Sequence, residues 1–385
     1  MNLQHLTYIL FYKAYNYDII TIGCDRVRVI ISAGGTGGHI YPALAIINKI
    51  KEKEPNSEFL YIGTHNRMEK DIIPSMNIPF RSIEIYGLNR KKIFKNVKVV
   101  SCLFKAYKEC KSIIKEYDPD IVIGVGGYVT TPVIKAAKKL GYKTFIHEQN
   151  SIPGKANLYL EKYTDKIGVS FESSMKYFDN KKVIFTGNPC SENSLKIEAA
   201  SKKEFGLSEN KKTVLFVMGS LGSSKMNNFL INTMHKFDKK DYEIIFVTGK
   251  NDYEKISKIE FPKNIKVVPY IDNMTRVMKF TDLIISRAGA STLSEVIALN
   301  VPSILIPSPY VTNNHQYKNA MDLKNKNACI LIEEKDLNED ILIKNIDSIL
   351  NDEEKINEMK NNLELMSIKN SATKIYDVIR NLVGR

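Results

Sequence analysis

The sequence predicts an α/β protein made of two similar lobes, and three observations carry that expectation. Short β-branched runs alternate with amphipathic stretches, which is the pattern of parallel strands crossed by helices. The pattern stops at Gly187-Asn188-Pro189, passes a polar stretch from Ser191 to Lys212, and restarts. Four glycine-rich turns, two in each half, each stand where an apolar strand should enter a helix: Ala33–His39, Gly124–Tyr128, Met218–Gly222 and Arg287–Ser291.

In chain order, strands are expected at Val29–Ser32, Phe59–Ile62, Ile121–Val125, Thr144–His147, Lys166–Val169 and Val183–Thr186, with a helix from Pro42 to Lys53. The second half repeats the scheme at Val214–Met218, Ile244–Thr248, Ile265–Val268, Leu283–Ser286, Ser303–Ile306 and Cys329–Ile332. From Asn351 the tail has helical periodicity, and Ile375, Val378, Ile379 and Leu382 can line one face that packs back on the first lobe. The expected division is an extension at 1–27, a first domain at 28–188 joined by the returning helix 369–385, and a second domain at 189–368.

A chain of 385 residues with 43% hydrophobic content has room for a core in each half. Its five cysteines are scattered and form no C-x-x-C pair, the pattern of a reducing compartment without structural disulfides or zinc. No apolar run reaches the length of a membrane span. The net charge of +13 favours an anionic partner: nucleic acid, a lipid surface or a phosphorylated substrate. Nucleic acid is disfavoured, because no basic and aromatic residues interleave in an RNA-binding pattern. Residues 1–27 make a poor signal peptide, and we expect translation to begin at Val27, where the first convincing strand starts.

Glycine turns entering helices let a ligand approach the backbone and aim the positive helix end at it, which favours an anion. None matches a dinucleotide fingerprint or a P-loop. His39 closes the first turn at a helix start, where a neutral imidazole can accept a proton. His147-Glu148-Gln149-Asn150 places four polar side chains at a strand's carboxyl end. Thr292-x-x-Glu295 reads either as a capping box or as a carboxylate that grips a ribose diol. Asn313 to Tyr317, with His315 and Gln316, offers donors suited to sugar hydroxyls. Arg90 to Glu116 holds nine Lys or Arg against two Glu, and Val100, Phe104, Tyr107 and Ile114 keep helical spacing on one face. That segment reads as membrane docking, with Leu88, Ile93 and Phe94 inserted and Arg90, Lys91, Lys92 and Lys95 on anionic headgroups, or as a solvated helix over the core.

Gly34-Gly35-Thr36-Gly37-Gly38-His39, Gly126-Gly127-Tyr128, His147-Glu148-Gln149-Asn150, Gly187-Asn188-Pro189, Gly219-Ser220-x-Gly222, Ser286-Arg287-Ala288-Gly289-Ala290 and His315-Gln316 together resemble the MurG family of N-acetylglucosaminyltransferases, in order from about Arg28 to the end. The resemblance implies a GT-B fold, two Rossmann-like domains around a cleft, with UDP-GlcNAc as donor. The implied acceptor is undecaprenyl-diphosphate-linked N-acetylmuramoyl-pentapeptide (lipid I), met at the cytoplasmic face of the cell membrane. By position it puts Thr36, Gly37, Gly38 and Asn150 at the transferred sugar and acceptor, with Tyr128 among the substrate-binding residues. It puts Ser220 at the donor phosphates, Ile271 at uracil, the segment Ala290, Ser291, Thr292, Leu293, Ser294 and Glu295 around the nucleotide with Glu295 on the ribose, and Gln316 on GlcNAc, with His315 beside it.

The family usually carries an arginine two residues after the Asn-Pro, where this chain has Ser191; Arg287 or Lys225 are the candidate replacements. The family is inverting, so a general base must take the acceptor hydroxyl proton, His39 first and Glu148 second. No D-x-D stands at any of the four turns, and neither a metal nor a cofactor is expected. A same-fold transferase acting on diacylglycerol is the alternative reading.

Overall fold

The computed structural model describes residues 26–87, 96–219 and 222–384. Seven strands form one sheet: β1 (Arg28–Ser32), β2 (Glu58–Thr64), β3 (Phe80–Ile83), β4 (Ile121–Gly124), β5 (Lys143–Glu148), β6 (Lys166–Val169) and β7 (Val183–Phe185), in the order β3-β2-β1-β4-β5-β6-β7. Six form the other: β8 (Lys212–Val217), β9 (Tyr242–Val247), β10 (Ile265–Val268), β11 (Leu283–Ser286), β12 (Ser303–Leu305) and β13 (Ile330–Leu331), in the order β10-β9-β8-β11-β12-β13. Every pairing is parallel.

Parallel strands covered on both faces must be apolar throughout. In β1, Val29 and Ile31 enter one core layer with Ile40 and Ile47, while Ile30 enters the opposite layer with Val133 and Ile134. The second sheet divides likewise, with Phe216 on one side and Leu215 and Val217 on the other. In both sheets the winding reverses beside the first strand, so β1/β4 and β8/β11 are switch points where the loops part and leave a crevice. The four glycine turns are the loops that leave these four strands.

The tail forms two helices, Glu353–Met366 and Ser371–Val383. Leu363 of the first belongs to the second sheet's core, whereas Ile375 and Ile379 of the second are buried against the first sheet's core. Arg380 pairs with Glu54 at 2.9 Å, and Glu192 accepts from the Thr373 N–H at 2.8 Å while pairing with the buried Lys49 at 2.7 Å. Glu192 lies on the helix Pro189–Lys196, which starts on an Asn188 side-chain cap with proline at its first position.

Three expectations change. The first helix begins at Gly37, not Pro42, because the turn feeds directly into it and Pro42 is tolerated inside. β3 was not anticipated; it is an edge strand whose Arg81 and Ser82 are exposed, so it lacks the apolar signature. In the helix Asn96–Tyr117 the buried stripe is Ala106, Cys110 and Ile114, and Phe104 faces solvent at 66% exposure. Residues 1–25 of the expected extension, Ser220, Leu88, Arg90, Lys91, Lys92, Ile93, Phe94 and Lys95 lie outside the described residues, whereas Val27, expected at the end of the extension, is buried in the first core and Arg26 pairs with Glu58. Among the described residues no helix is long and apolar enough to cross a membrane.

Candidate active site

The two turns of the first switch point interlock. The Gly34 N–H donates to the Gly126 carbonyl at 3.2 Å. Gly127 has φ +87°, and a Cβ there would come within 2.5 Å of the Gly34 oxygen, so only glycine allows the approach. Against this pair lies the imidazole of His39, whose Nδ1 is 3.1 Å from the Gly34 carbonyl oxygen. A carbonyl only accepts, so Nδ1 carries the hydrogen and Nε2 keeps the free lone pair. Burial lowers the His39 pKa, the Gly34 carbonyl, Glu148 and Glu69 oppose that, and His315 adds to it. The ring is therefore neutral at neutral pH and able to take a proton.

The polar run after β5 divides its labour. His147 is buried, with one ring nitrogen 3.0 Å from the Gly187 carbonyl and the other accepting from the Gln149 amide at 3.0 Å. Burial pushes its pKa down to about 4, so it stays a neutral structural link. Glu148 accepts four hydrogen bonds: from the Asn150 N–H and side-chain amide on one oxygen, and from the Gly154 N–H and Asn157 amide on the other. A carboxylate so saturated anchors the loop to Asn157, and His39 is left with the better-exposed lone pair. Asn150 in turn accepts from Asn319 at 3.2 Å.

Asn319 is fully buried on the helix His315–Lys324 of the second half. Its amide also donates to the Ala288 carbonyl at 3.3 Å, and its oxygen accepts from the Ser151 N–H and hydroxyl. This one side chain ties the β5 loop to the β11 turn across the two halves. Ser173 and Asp322 form a second link nearby.

Between the switch points lies a cavity of about 470 Å³. Thr36, Gly37, Gly38 and Tyr41 line it from the first half; Gly219, Tyr270, Ile271, Arg287, Gly289–Thr292, Glu295 and Gln316 line it from the second. His39, Tyr128, Glu148, Asn150 and His315 are outside that lining. The Tyr128 ring lies beside Gly87, where an added Cβ would meet it at 3.6 Å, while His39 follows directly on Gly38. Leu293 points into the apolar core, and the Ser294 hydroxyl turns back to the Ser291 carbonyl at 2.6 Å, so these two side chains do not face the cavity.

The helix Ala290–Ala298 begins after Gly289 without any side-chain cap, which places Thr292 inside it and leaves the capping box unformed. Glu295 instead accepts from the Thr275 hydroxyl at 3.3 Å at the cavity wall. Burial pushes its pKa up to about 7, against the Thr275 hydrogen bond. Gln316 accepts from the Ser308 N–H at 2.8 Å, which leaves its amide nitrogen as a donor toward the cavity.

Ser191 is buried, its hydroxyl 2.8 Å from that of Ser371, and it contributes no charge. Of the two candidate cations, Arg287 is bound by the Ile306 carbonyl at 2.9 Å and by Glu334 at 2.7 Å. Lys225, in the first turn of the helix Ser224–Met234, is mostly exposed and is held by the other Glu334 oxygen and the Tyr310 hydroxyl. Glu69, Asn319, Tyr41 and Tyr270 escaped the sequence reading, since no motif joins residues so distant in the chain.

Two doubly wound sheets meeting at a cleft walled by helix N-termini and a buried carboxylate define a GT-B glycosyltransferase. Residues 29–169 match the glycosyltransferase family 28 N-terminal domain, and residues 213–377 match its C-terminal domain. The UDP-N-acetylglucosamine--N-acetylmuramyl-(pentapeptide) pyrophosphoryl-undecaprenol N-acetylglucosamine transferase of Bacillus cytotoxicus is 44% identical over 93% of this chain and 100% of its own length. The transferase of the same name from Bacillus licheniformis is 45% identical over 92% and 99%. The crystal structure of Acinetobacter baumannii MurG superposes with a TM-score of 0.76 at 26% identity, covering 92% of this chain and 99% of that one. The calicheamicin glycosyltransferase CalG4, at 10% identity and a TM-score of 0.70 over 94% and 99%, shares the fold. The chain belongs to the MurG family.

Proposed function

We propose that this chain moves N-acetylglucosamine from UDP-GlcNAc to the 4-hydroxyl of the undecaprenyl-diphosphate-linked N-acetylmuramoyl-pentapeptide, making lipid II from lipid I. The carrying observation is the identity of 44% and 45% over the whole length of relatives that bear this activity in their names.

In the reaction the acceptor oxygen forms a bond to the anomeric carbon while the bond from that carbon to the UDP oxygen breaks, with inversion. His39 Nε2 takes the hydroxyl proton, its tautomer fixed by the Gly34 carbonyl. UDP leaves with its charge toward the helix starts at Ser224 and Ala290. Glu295 binds the ribose, Ile271 the uracil, Gln316 the sugar, and Lys225 takes the diphosphate: both cations pair with Glu334, but Arg287 is buried and also bound to the Ile306 carbonyl, whereas Lys225 is exposed and able to turn. Thr36, Gly37, Gly38 and Asn150 shape the acceptor side.

The protein works as a peripheral enzyme at the cytoplasmic face of the cell membrane. Exposed Leu103 and Phe104, with Lys105 and Lys108 on the same helix, suit an anionic lipid surface and continue from the basic segment 90–95. Release of UDP on addition of a soluble lipid I analogue, and none on addition of diacylglycerol, is the expected result; the reverse preference overturns the acceptor.

A further inference from the structure

Beneath the first glycine turn lies a carboxylate that the mechanism above does not use. Glu69 opens the helix Glu69–Ser75 and is fully buried. One oxygen accepts from the Thr64 N–H at 3.0 Å and the Thr64 hydroxyl at 2.6 Å; the other accepts from the Gly35 N–H at 3.2 Å. The turn is built closely around it, since a Cβ at Gly34 would come within 2.5 Å of Glu69 Oε1 and one at Gly63 within 2.7 Å of its Cγ. All three donors are neutral. A carboxylate fits because both of its oxygens accept; either orientation of a glutamine amide would set its NH2 against the Thr64 or the Gly35 N–H. Burying that charge on neutral donors alone still costs several kcal/mol.

Two consequences reach His39. The Gly35 N–H, which a substrate anion could otherwise take, is already filled by Glu69, so this turn serves as a platform more than as a phosphate cradle. The adjoining Gly34 presents the carbonyl that fixes His39 Nδ1. The charged or titratable groups facing the imidazole are Glu148, His315 and Glu69. The two carboxylates favour the protonated ring, whereas burial and His315 oppose it.

We propose that Glu69 is a positioning residue for the transfer: bound to the Gly35 N–H, it locks the turn whose Gly34 carbonyl aims His39, and it holds a carboxylate beneath that turn. This rests on the assignment of His39 as the base. The test uses the full chain, with UDP release measured against the soluble lipid I analogue from about pH 5 to pH 9. Glu69→Gln is expected to lower kcat about tenfold while the KM for UDP-GlcNAc stays within about twofold. It also moves the acidic limb of kcat, measured at saturating UDP-GlcNAc so that Glu295 does not enter, toward acid by roughly half a pH unit or more. Glu69→Asp keeps the charge but shortens the reach, so kcat falls and the limb stays. Thr64→Val removes a neutral donor and lowers the melting temperature with the limb unmoved.

An unmoved limb in Glu69→Gln, an equal shift in Glu69→Asp, or equal kcat losses in Glu69→Gln and Thr64→Val would overturn the proposal. His39→Ala separates the two layers. Near-normal turnover in it removes the base assignment itself, whereas an inactive His39→Ala beside a wild-type Glu69→Gln profile removes only the role of Glu69.

Discussion

At the scale of single residues, the site is a set of polar groups whose ordinary behaviour is shifted by burial. Glu295 is the clearest case: with its pKa pushed up to about 7, it is largely protonated at pH 6 in the free protein. A ribose diol needs the ionised form as acceptor, so donor affinity should rise with pH through 7. We expect the KM for UDP-GlcNAc to fall by up to about tenfold between roughly pH 6 and pH 8, and Glu295→Gln to have a raised, pH-independent KM. Lys225→Ala should raise the same KM roughly fivefold with little effect on kcat, measured at saturating acceptor; an unchanged KM would show that another group meets the diphosphate. The sequence favoured His39 because it closes a glycine turn at a helix start, and showed no hydrogen-bond partner for either His39 or His147. Only the fold reveals that His147 has both nitrogens occupied, while His39 keeps one lone pair.

Elements were legible where their signal was strong and uniform. The strands that form both sheet centres are continuous apolar runs, and Lys166–Val169, Ile265–Val268 and Leu283–Ser286 have the expected limits. The last helix was equally plain, because Ile375 and Ile379 recur at helical spacing with Val378 and Leu382 beside them. β3 was hidden by its exposed middle residues, and the stripe of the helix Asn96–Tyr117 was misread because Phe104 is apolar yet faces solvent. The returning helix offers a stability test. Ile375→Ala leaves a cavity in the first core and should cost about 2–5 kcal/mol, seen as a lower denaturation midpoint with unchanged donor binding. A loss below about 1 kcal/mol would mean that the helix is not held by that face.

For the whole molecule, the four glycine turns predicted two lobes and a cleft, and they resolve into two switch points that share one cavity. The contacts between the halves were not legible: Asn319 bonds to Asn150, Ser151 and Ala288, residues that no spacing rule connects. We place the division between the halves at residues 28–188 and 189–368, with 369–385 returning to the first. Asn319→Ala should leave UDP affinity within about twofold while lowering kcat/KM for the acceptor by about tenfold, because it loosens the relation of the halves and not the nucleotide site. The most direct test of the account is acceptor-dependent UDP release by the full chain and its His39→Ala variant, with donor affinity measured alongside. We expect release that depends on the lipid I analogue and falls at least about a hundredfold in His39→Ala at unchanged donor affinity. Near-normal turnover in that variant, or release indifferent to the acceptor, would contradict it.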